Sequence, residues 1–178
     1  MDSKLIDNFV ESWGAMGMLW GVNRSIARIH ALLIVADEPL SLDAIAERLS
    51  MSRGNTSMSL RELRNWQVVK RVKVPGDRRD YYETEPDIWR MFFLIFGERK
   101  RREFDPALAA VRAAVAAAGQ VEAARGEPGK ATAVYRRLLQ MEELLETMER
   151  VMSRFLANEK TSRTMLGFLT SWMGDGAE

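Results

Sequence analysis

The chain has 178 residues, 47% of them hydrophobic and 29% charged, a composition typical of a soluble globular protein. It has no cysteine and one histidine, His30, which excludes disulfides, zinc–thiolate sites, thiol nucleophiles and imidazole-rich metal sites; no cofactor is expected. The N-terminus lacks the basic and apolar segments of a signal peptide, and the most apolar run, residues 91–96, is too short to cross a bilayer. We therefore expect a cytoplasmic protein.

The formal net charge is only +1, but the charge is unevenly distributed along the chain. Residues 52–79 contain two acidic residues, Glu62 and Asp77, and eight basic ones. The basic residues are Arg53, Arg61, Arg64, Lys70, Arg71, Lys73, Arg78 and Arg79. This window thus carries a charge of +6 and the rest of the chain −5. A local basic patch on a nearly neutral protein is typical of a face that binds duplex nucleic acid.

Apolar residues at helical spacing predict a first helix over residues 3–16 and a second over residues 23–36. Glycines at positions 14, 17 and 21 weaken the stretch between them and predict a break near Trp20. Asn23 is suited to cap the second helix. That helix ends before Pro39, because a proline disfavours helical conformation in the residue preceding it.

Two short helices and a β-hairpin are predicted next. Ser41 is placed to cap a helix that buries Ile45 and Leu49, and Ser52 is placed to cap another over residues 53–66. Valine and basic residues alternate over residues 68–74, which predicts a strand. A turn at Pro75-Gly76-Asp77 then leads into a returning strand over residues 81–84. This is the element order of a winged helix-turn-helix.

The chain after Pro86 is predicted to be helical. One helix covers residues 87–102, and Asp105 followed by Pro106 is expected to cap a separate alanine-rich helix that ends near residue 118. A loop is predicted at residues 126–129, then helices over 131–157 and 161–173 and a frayed tail from residue 174.

The predicted fold is mainly α with a small β-hairpin wing, a winged helix-turn-helix domain joined to a helical dimerisation region. Three parts are expected: N-terminal scaffold or dimerisation helices at 1–36, the DNA-binding domain at 37–85, and a helical dimerisation and effector region at 86–178. Which of the C-terminal helices form the interface is left open.

The helix over residues 53–66 has the pattern of a recognition helix. Thr56, Leu60 and Leu63 share one face and are expected to pack against the preceding helix. The opposite face holds Gly54, Asn55, Met58, Arg61 and Asn65, with Ser57 on its flank. In helix-turn-helix docking the first turn of such a helix meets base edges in the major groove.

The chemistry of these side chains suits contacts to a duplex. Asn55 is suited to adenine, Arg53 and Arg61 to guanine or phosphate, and Met58 to a thymine methyl group, while Gly54 allows close backbone approach. The predicted DNA-binding residues are Ser52, Arg53, Gly54, Asn55, Ser57, Met58, Arg61, Lys73, Arg78 and Arg79. The alternative is a winged helix that binds another protein and has no specific DNA site.

At the wing tip, Arg78 and Arg79 are expected to lie along the minor groove or the phosphates. The neighbouring acids Asp77 and Asp80 are expected to hold the turn in shape.

The long C-terminal helix carries apolar residues at alternating steps of four and three. They are Val134, Leu138, Met141, Leu145, Met148, Met152 and Phe155. Such a heptad seam predicts dimerisation, and we assign this role to Leu138, Met141, Leu145, Met148, Met152 and Phe155. A two-fold homodimer also matches a palindromic double-stranded DNA operator. The alternative is a helix that is buried within its own protomer.

No enzymatic function is expected. The chain has no phosphate-binding glycine motif, and one histidine leaves little scope for a catalytic triad. Six aromatic residues flank the predicted DNA-binding core and offer two alternatives, a cage for a quaternary ammonium ligand or ordinary core packing. They are Trp13, Trp20, Trp89, Phe92, Phe96 and Tyr135. An unidentified small-molecule effector therefore stays open, and His30 is expected to be a packing residue.

Four segments of this sequence resemble MarR-type regulators, and two of them their GbsR-like branch in particular. The segments are GVNRSIARI (21–29), PLSLDAIAE (39–47), MSRGNTSMSLREL (51–63) and VPGDRRDYY (74–82). The resemblance covers the first half of the chain, whereas the second half is similar only in being helical. One departure is Gln67, where many members have glycine.

The resemblance implies a repressor-type homodimer whose recognition helices enter successive major grooves. Some members of the branch respond to choline-like osmolytes and others have no known effector, so the resemblance does not assign a ligand.

Overall fold

Close packing between the first two helices organises the N-terminal part of the chain. The computed structural model describes residues 3–125 and 132–174, which cluster into two units, Met1–Ile95 and Phe96–Glu178. In the first unit, α1 (Ser3–Leu19) packs along α2 (Arg24–Ile34). A Cβ atom at Gly17 would lie 2.6 Å from the Cβ atom of Ala27. Glycine therefore permits this contact, and α1 extends beyond the predicted end at residue 16.

The predicted break between these helices is confirmed at Gly21, whose φ of +74° is a left-handed conformation that glycine adopts without strain. The three predicted N-caps are also confirmed. The side-chain oxygens of Asn23, Ser41 and Ser52 accept hydrogen bonds from backbone N–H groups two or three residues later, at 2.8, 3.2 and 3.2 Å. These caps start α2, α3 (Leu42–Arg48) and α4 (Arg53–Asn65).

A three-stranded antiparallel sheet forms the wing and anchors it. Strands β2 (Val69–Val72) and β3 (Tyr81–Thr84) form the predicted hairpin, and β1 (Leu40–Ser41) pairs with the other edge of β3. In this pairing Leu40 lies opposite Tyr82. The sequence did not predict β1, because two residues are too few to show an alternating pattern.

The chain turns sharply between α4 and β2. Gln67 has a φ of +61°, a left-handed conformation that glycine adopts without strain. The backbone at this helix end thus has the conformation that glycine favours, although the residue is glutamine. The turn also explains why Val68 and Val69 are both buried, where a strand beginning at Val68 would bury only one of them.

The core of the first unit lies between α2, α3, α4 and β2. Ile29, Ile45, Leu60, Leu63 and Val68 are all at most 1% exposed. They belong to one hydrophobic cluster. The core therefore joins both helices of the helix-turn-helix to the base of the wing.

The helical path between α5 and α6 is continuous. α5 (Ile88–Arg99) is followed by a π-helical turn (Lys100–Phe104) and then by α6 (Asp105–Arg125). Asp105 has helical dihedral angles, so the prediction that it caps a separate helix is wrong. The wider π turn accommodates Pro106, which has no N–H group and whose ring would clash within a regular helix.

The second unit is completed by α7 (Ala133–Ala157) and α8 (Glu159–Gly174). Thr132 caps α7, since its hydroxyl accepts a hydrogen bond from the Tyr135 N–H group at 3.2 Å. The Ser162 hydroxyl of α8 donates to the Phe155 carbonyl of α7 at 2.6 Å. The predicted loop at 126–129 and the tail at 175–178 lie outside the described residues.

By length and composition, one helical stretch of the described residues, Ile88–Ala124, could cross a membrane, with a mean hydropathy of 1.2 in its most apolar window. It is longer than the apolar run at 91–96. Charged residues occupy positions 98–103 and 105 within this stretch. Arg112 on α6 forms a 2.8 Å ion pair with Glu146 on α7. A bilayer interior disfavours such charges, and a single apolar helix is weak evidence of a membrane span.

His30 is buried in α2 with 4% exposure, and its Nε2 atom has no hydrogen-bond partner in the described part of the chain. Desolvation lowers its pKa to about 4, from 6.5. In the folded protein the His30 imidazole is therefore neutral. Because the imidazole takes up a proton at higher pH in the unfolded chain, the free energy of unfolding falls as the pH drops from 6.5 towards 4.

We predict that this histidine makes the protein less stable in mild acid. Between pH 7 and pH 5 the free energy of unfolding should fall by about 2 kcal/mol on account of His30. Urea denaturation of the parent and of His30→Phe at both pH values measures the effect. An equal fall in the two proteins would show that His30 is not the group responsible.

Candidate nucleic-acid interface

The inner face of α4 is fixed to the protein core. Thr56, Leu60 and Leu63 are at most 1% exposed, as their spacing predicted. Leu60 and Leu63 share the hydrophobic cluster with Ile45 and Leu49 at α3. The Thr56 hydroxyl donates to the Ser52 carbonyl at 3.0 Å, which satisfies its polar group on this face. The rotation of α4 about its axis is therefore determined.

The outer face of α4 is open to solvent within this unit. Met58 is 59% exposed. The other exposed members of this face are Ser52, Arg53, Gly54, Ser57, Arg61, Arg64 and Asn65. A Cβ atom at Gly54 would contact nothing within 4 Å, so this position leaves open space for an approaching backbone. Nine of the ten predicted DNA-binding residues thus lie on exposed positions of α4, its cap or the wing.

Asn55 is the exception, because its carboxamide is turned towards the scaffold. Its Nδ2 group donates to the Ser25 hydroxyl of α2 at 3.0 Å, and the residue is half-buried. The helical wheel placed Asn55 on the outer face and Ser57 on its flank, and the structure reverses the two. Ser25 lies 30 positions away in sequence, so no local pattern indicated the contact.

Arg53, the first residue of α4, forms an ion pair with Asp43 of α3 and keeps 70% of its side chain exposed. The pair links the two helices at the end of α4 from which base contacts are expected. Asp43 was not among the predicted site residues. Its carboxylate restrains the exposed Arg53 side chain through this ion pair.

The wing tip is held by a cluster around Asp77. Its carboxylate accepts hydrogen bonds from the Arg79 guanidinium at 2.5 Å, the Arg79 backbone N–H at 2.8 Å and the Tyr81 hydroxyl at 2.8 Å. These donors, the guanidinium first among them, hold the pKa of Asp77 well below its usual range. The same hydrogen bond to Asp77 raises the pKa of Tyr81, so the phenol stays protonated and keeps donating. The turn itself uses Gly76, with a φ of +84°.

Asp80 has the same role at the base of the tip. It accepts from Lys73 at 2.6 Å and from Arg71 at 3.1 Å, and the Lys73 contact lowers the pKa of Asp80. Lys73 also donates to the Arg78 carbonyl at 3.3 Å. These contacts agree with the prediction that both acids shape the turn.

Three arginines remain as exposed cations on this surface. Arg61 and Arg64 on α4 and Arg78 on the wing form no ion pair with any residue in the described ranges. No acid among the described residues offsets their charges, whereas neighbouring acids partly offset those of Arg53, Lys73 and Arg79.

The residues of the predicted dimerisation seam differ in how far they are buried. Leu138, Leu145, Met152 and Phe155 are half-buried in the second unit, where α7 packs against α6 and α8. The Phe155 ring, for example, meets that of Phe96 edge-on, with centroids 5.7 Å apart. Met141 and Met148, which alternate with them along the seam, are 49% and 43% exposed. The exposed apolar residues of α7 also include Val134, Leu144 and Val151.

Three of the six aromatic residues considered for a cage have local packing partners. Trp13 lies 5.5 Å from Phe9 within α1, and Phe96 packs against Phe155. The Tyr135 hydroxyl lies 3.3 Å from the position of a Cβ atom at Gly119. These contacts favour the core alternative for the three residues.

The surface formed by α4 and the wing tip lies in a region that matches a known protein family. The model of the MarR family matches residues 20–80, a range that includes α2, α3, α4 and the wing tip. The chain is 31% identical over 149 residues to the HTH-type transcriptional regulator MmpR5 of Mycobacterium tuberculosis, covering 83% of this chain and 82% of that protein. It is 28% identical over 112 residues to the HTH-type transcriptional repressor GbsR of Bacillus subtilis, covering 63% and 59%.

A solved structure described as a transcriptional regulator is also similar, with a TM-score of 0.55 and 31% identity over 85% of this chain and 95% of that one. The similarity thus extends beyond the N-terminal half to which the sequence motifs were confined. With the three matched Bacillus subtilis proteins, the chain spans only 49% to 59% of their lengths.

The contacts of Asp77 predict a change in DNA affinity opposite to the one that its charge alone would predict. Asp77→Asn removes a negative charge near the basic surface, which by charge alone should strengthen binding to duplex DNA. Because Asp77 orients Arg79 and the turn, we expect instead that affinity falls by about threefold or more. Fluorescence anisotropy with a labelled duplex at fixed salt measures it.

Glu47→Gln is the matched control, since Glu47 is an exposed acid on α3 outside this cluster. It should leave affinity unchanged or slightly raised. Tighter binding by Asp77→Asn would mean that Asp77 acts only through its charge.

Proposed function

This chain belongs to the MarR family of DNA-binding transcriptional regulators, which are not enzymes, and we propose that it is a cytoplasmic homodimeric repressor of a palindromic operator. The observation that carries the proposal is the arrangement of α4. Its apolar side is locked into the core, and its outer side presents Ser57, Met58 and Arg61 beside a basic wing.

Each part of this surface has a distinct role in the proposed complex. Gly54, Ser57, Met58 and Arg61 enter the major groove, where polar and apolar groups of the bases can be distinguished. Asn55 acts chiefly through Ser25, by fixing the start of α4 against α2. Ser52 and Arg53 meet the phosphates at that end of the helix, and Lys73, Arg78 and Arg79 meet those beside the wing.

We also propose a role for each of the three parts of the chain. Residues 37–85 bind DNA, residues 1–36 support them, and residues 86–178 carry the dimer contact. A two-fold dimer presents two recognition helices to two half-sites, which multiplies affinity without any new contact per protomer.

The exposed face of α7 supports the dimer proposal. It is formed by Val134, Met141, Leu144, Met148 and Val151, which recur at steps of seven, three and four. Such a stripe is the packing surface of helices that associate side by side. Its repeated exposed apolar side chains would be costly to leave in water. We propose a second copy of α7 as its partner.

Selection of bound fragments from the organism's own genomic DNA tests the function as a whole. A recurrent palindrome is the expected result. Recovery of fragments without any shared sequence, or no retention of duplex DNA at low salt, would overturn it and favour a protein partner.

The contribution of the wing can be measured by salt dependence. Arg78→Ala should reduce the slope of log affinity against log salt by about 0.9 for each phosphate that is no longer neutralised, or about 1.8 in a dimer. Arg112→Gln, which removes a cation from α6 in the second unit, should leave the slope unchanged. An unchanged slope in Arg78→Ala would exclude Arg78 from the interface.

The dimer contact can be tested with adjacent leucines. Leu144 is 60% exposed and Leu145 half-buried on the inner side of α7. Leu144→Glu should raise the dimer dissociation constant by about 10- to 100-fold, because an unpaired charge would be buried between protomers. Leu145→Ala should instead lower the stability of the protomer by about 1–2 kcal/mol, roughly half the cost at a fully buried site.

Analytical ultracentrifugation and thermal denaturation separate the two outcomes. If Leu144→Glu remains as dimeric as the parent, the exposed face of α7 is not the dimer contact.

A further inference from the structure

One buried carboxylate has no part in the proposed DNA contacts. Glu85, directly after β3, is 6% exposed, and among the described residues it is the only acidic residue that is buried. A carboxylate loses its hydration on burial, which costs free energy unless charged or hydrogen-bonding partners compensate. The partners of Glu85 therefore indicate what an acid does at this position.

The Glu85 carboxylate joins two elements of the first unit. Its Oε2 atom forms ion pairs with the Lys70 ammonium group of β2 and with the Arg90 guanidinium group of α5, at 3.4 Å each. Its Oε1 atom accepts a hydrogen bond from the Asp87 backbone N–H group at 3.4 Å. Since Lys70 and Arg90 belong to different elements, the acid holds the wing strand to the helix. We call Glu85, Lys70 and Arg90 the clasp.

The backbone on either side of Glu85 is also restrained. The Glu85 N–H group donates to the Val68 carbonyl at 2.9 Å, which ties the residue to the start of the wing. Pro86 follows, and its ring fixes φ at about −65°. Asp87 then caps α5, because its carboxylate accepts from the backbone N–H groups two and three residues later, at 2.9 and 3.2 Å. The angle at which α5 leaves the wing is therefore defined.

This angle matters for a dimer that reads two half-sites. The chain passes from the first unit to the second within α5, between Ile95 and Phe96, and the dimer contact is assigned to the second unit. In a two-fold dimer, any change in the angle between α5 and the wing changes the separation of the two recognition helices. Half-site spacing on the operator must match that separation.

We propose that Glu85 is a positioning residue, which clasps β2 to α5 and thereby sets the half-site spacing that the dimer accepts. The effect on spacing rests on the proposed function, whereas the clasp itself does not.

The clasp can be tested without DNA, because the chain has no cysteine and spin labels can be placed at will. Labels at Glu47→Cys on α3 and Arg99→Cys at the end of α5 report the position of α5 by pulsed electron paramagnetic resonance. Labelled chain is diluted with unlabelled chain, so that only distances within one protomer contribute.

Glu85→Gln and Arg90→Ala, each made in the labelled chain, should broaden the distance distribution. Arg90→Lys should preserve it, because the cation remains. Glu85→Gln keeps the size of the side chain and an acceptor for the Asp87 N–H group, and thermal denaturation verifies that it folds. If it does not fold, Arg90→Ala decides, since the Arg90 side chain is 58% exposed. An unchanged distribution in the folded variants would overturn the clasp.

The effect on operator choice is measured with the palindrome from the genomic selection. Fluorescence anisotropy compares a duplex of the natural spacing, one lengthened by a base pair between the half-sites, and a single half-site. The added base pair rotates one half-site by about 35°, so the parent should prefer the natural spacing. Glu85→Gln and Arg90→Ala should reduce this preference by about threefold or more and leave affinity for the single half-site unchanged.

Arg112→Ala, which removes a cation from α6, is the matched control and should keep the preference of the parent. Equal losses on all three duplexes would overturn the role in spacing. Such losses mean that the variants lower stability or, if the salt slope also falls, that Arg90 binds a phosphate.

The outcomes separate this inference from the proposed function. Broadened distances with an unchanged spacing preference would retain the clasp and reject its role in spacing. A parent that binds no duplex, or that selects no palindrome, would reject the proposed function and the role in spacing with it. The distance measurement alone then decides on the clasp.

Discussion

Burial of one face of α4 is the constraint on which the functional surface depends. Leu60 and Leu63 enter the same core as Ile29 and Ile45, and Thr56 satisfies its hydroxyl on the backbone of Ser52. Since successive helical residues are rotated by about 100°, fixing this face also fixes which residues point outward. The position of Ser57 and Met58 in solvent is thus a consequence of apolar packing on the opposite side.

The basic side chains of this surface fall into two groups, those that form an ion pair with an aspartate and those that form none with the described residues. Arg53, Lys73 and Arg79 are oriented by Asp43, Asp80 and Asp77, whereas Arg61, Arg64 and Arg78 have no such partner among the described residues. Exposed ion pairs add little to stability, but they restrict the conformations of long side chains. The formal charge of the window therefore overstates the charge that is free to neutralise phosphates.

The second unit shows why a heptad seam alone does not assign an interface. In α7 the residues at steps of four and three differ in burial. Leu145 and Phe155 are half-buried within the unit, whereas Met141, Met148 and the neighbouring Leu144 are exposed. A pattern of apolar spacing indicates that a helix is covered, but it does not indicate by what. Only the exposure of each side chain in the structure distinguishes the residues buried within the protomer from those open to a partner.

Much of this molecule followed from local sequence. The helices, the caps at Asn23, Ser41 and Ser52, the hairpin and the inner face of α4 are dictated by periodicity and by backbone hydrogen bonding, which act over a few residues. Distant contacts were decided by the tertiary structure alone. The Asn55–Ser25 hydrogen bond, the pairing of β1 with β3, and the approach of Gly17 to Ala27 each join residues that no local pattern relates.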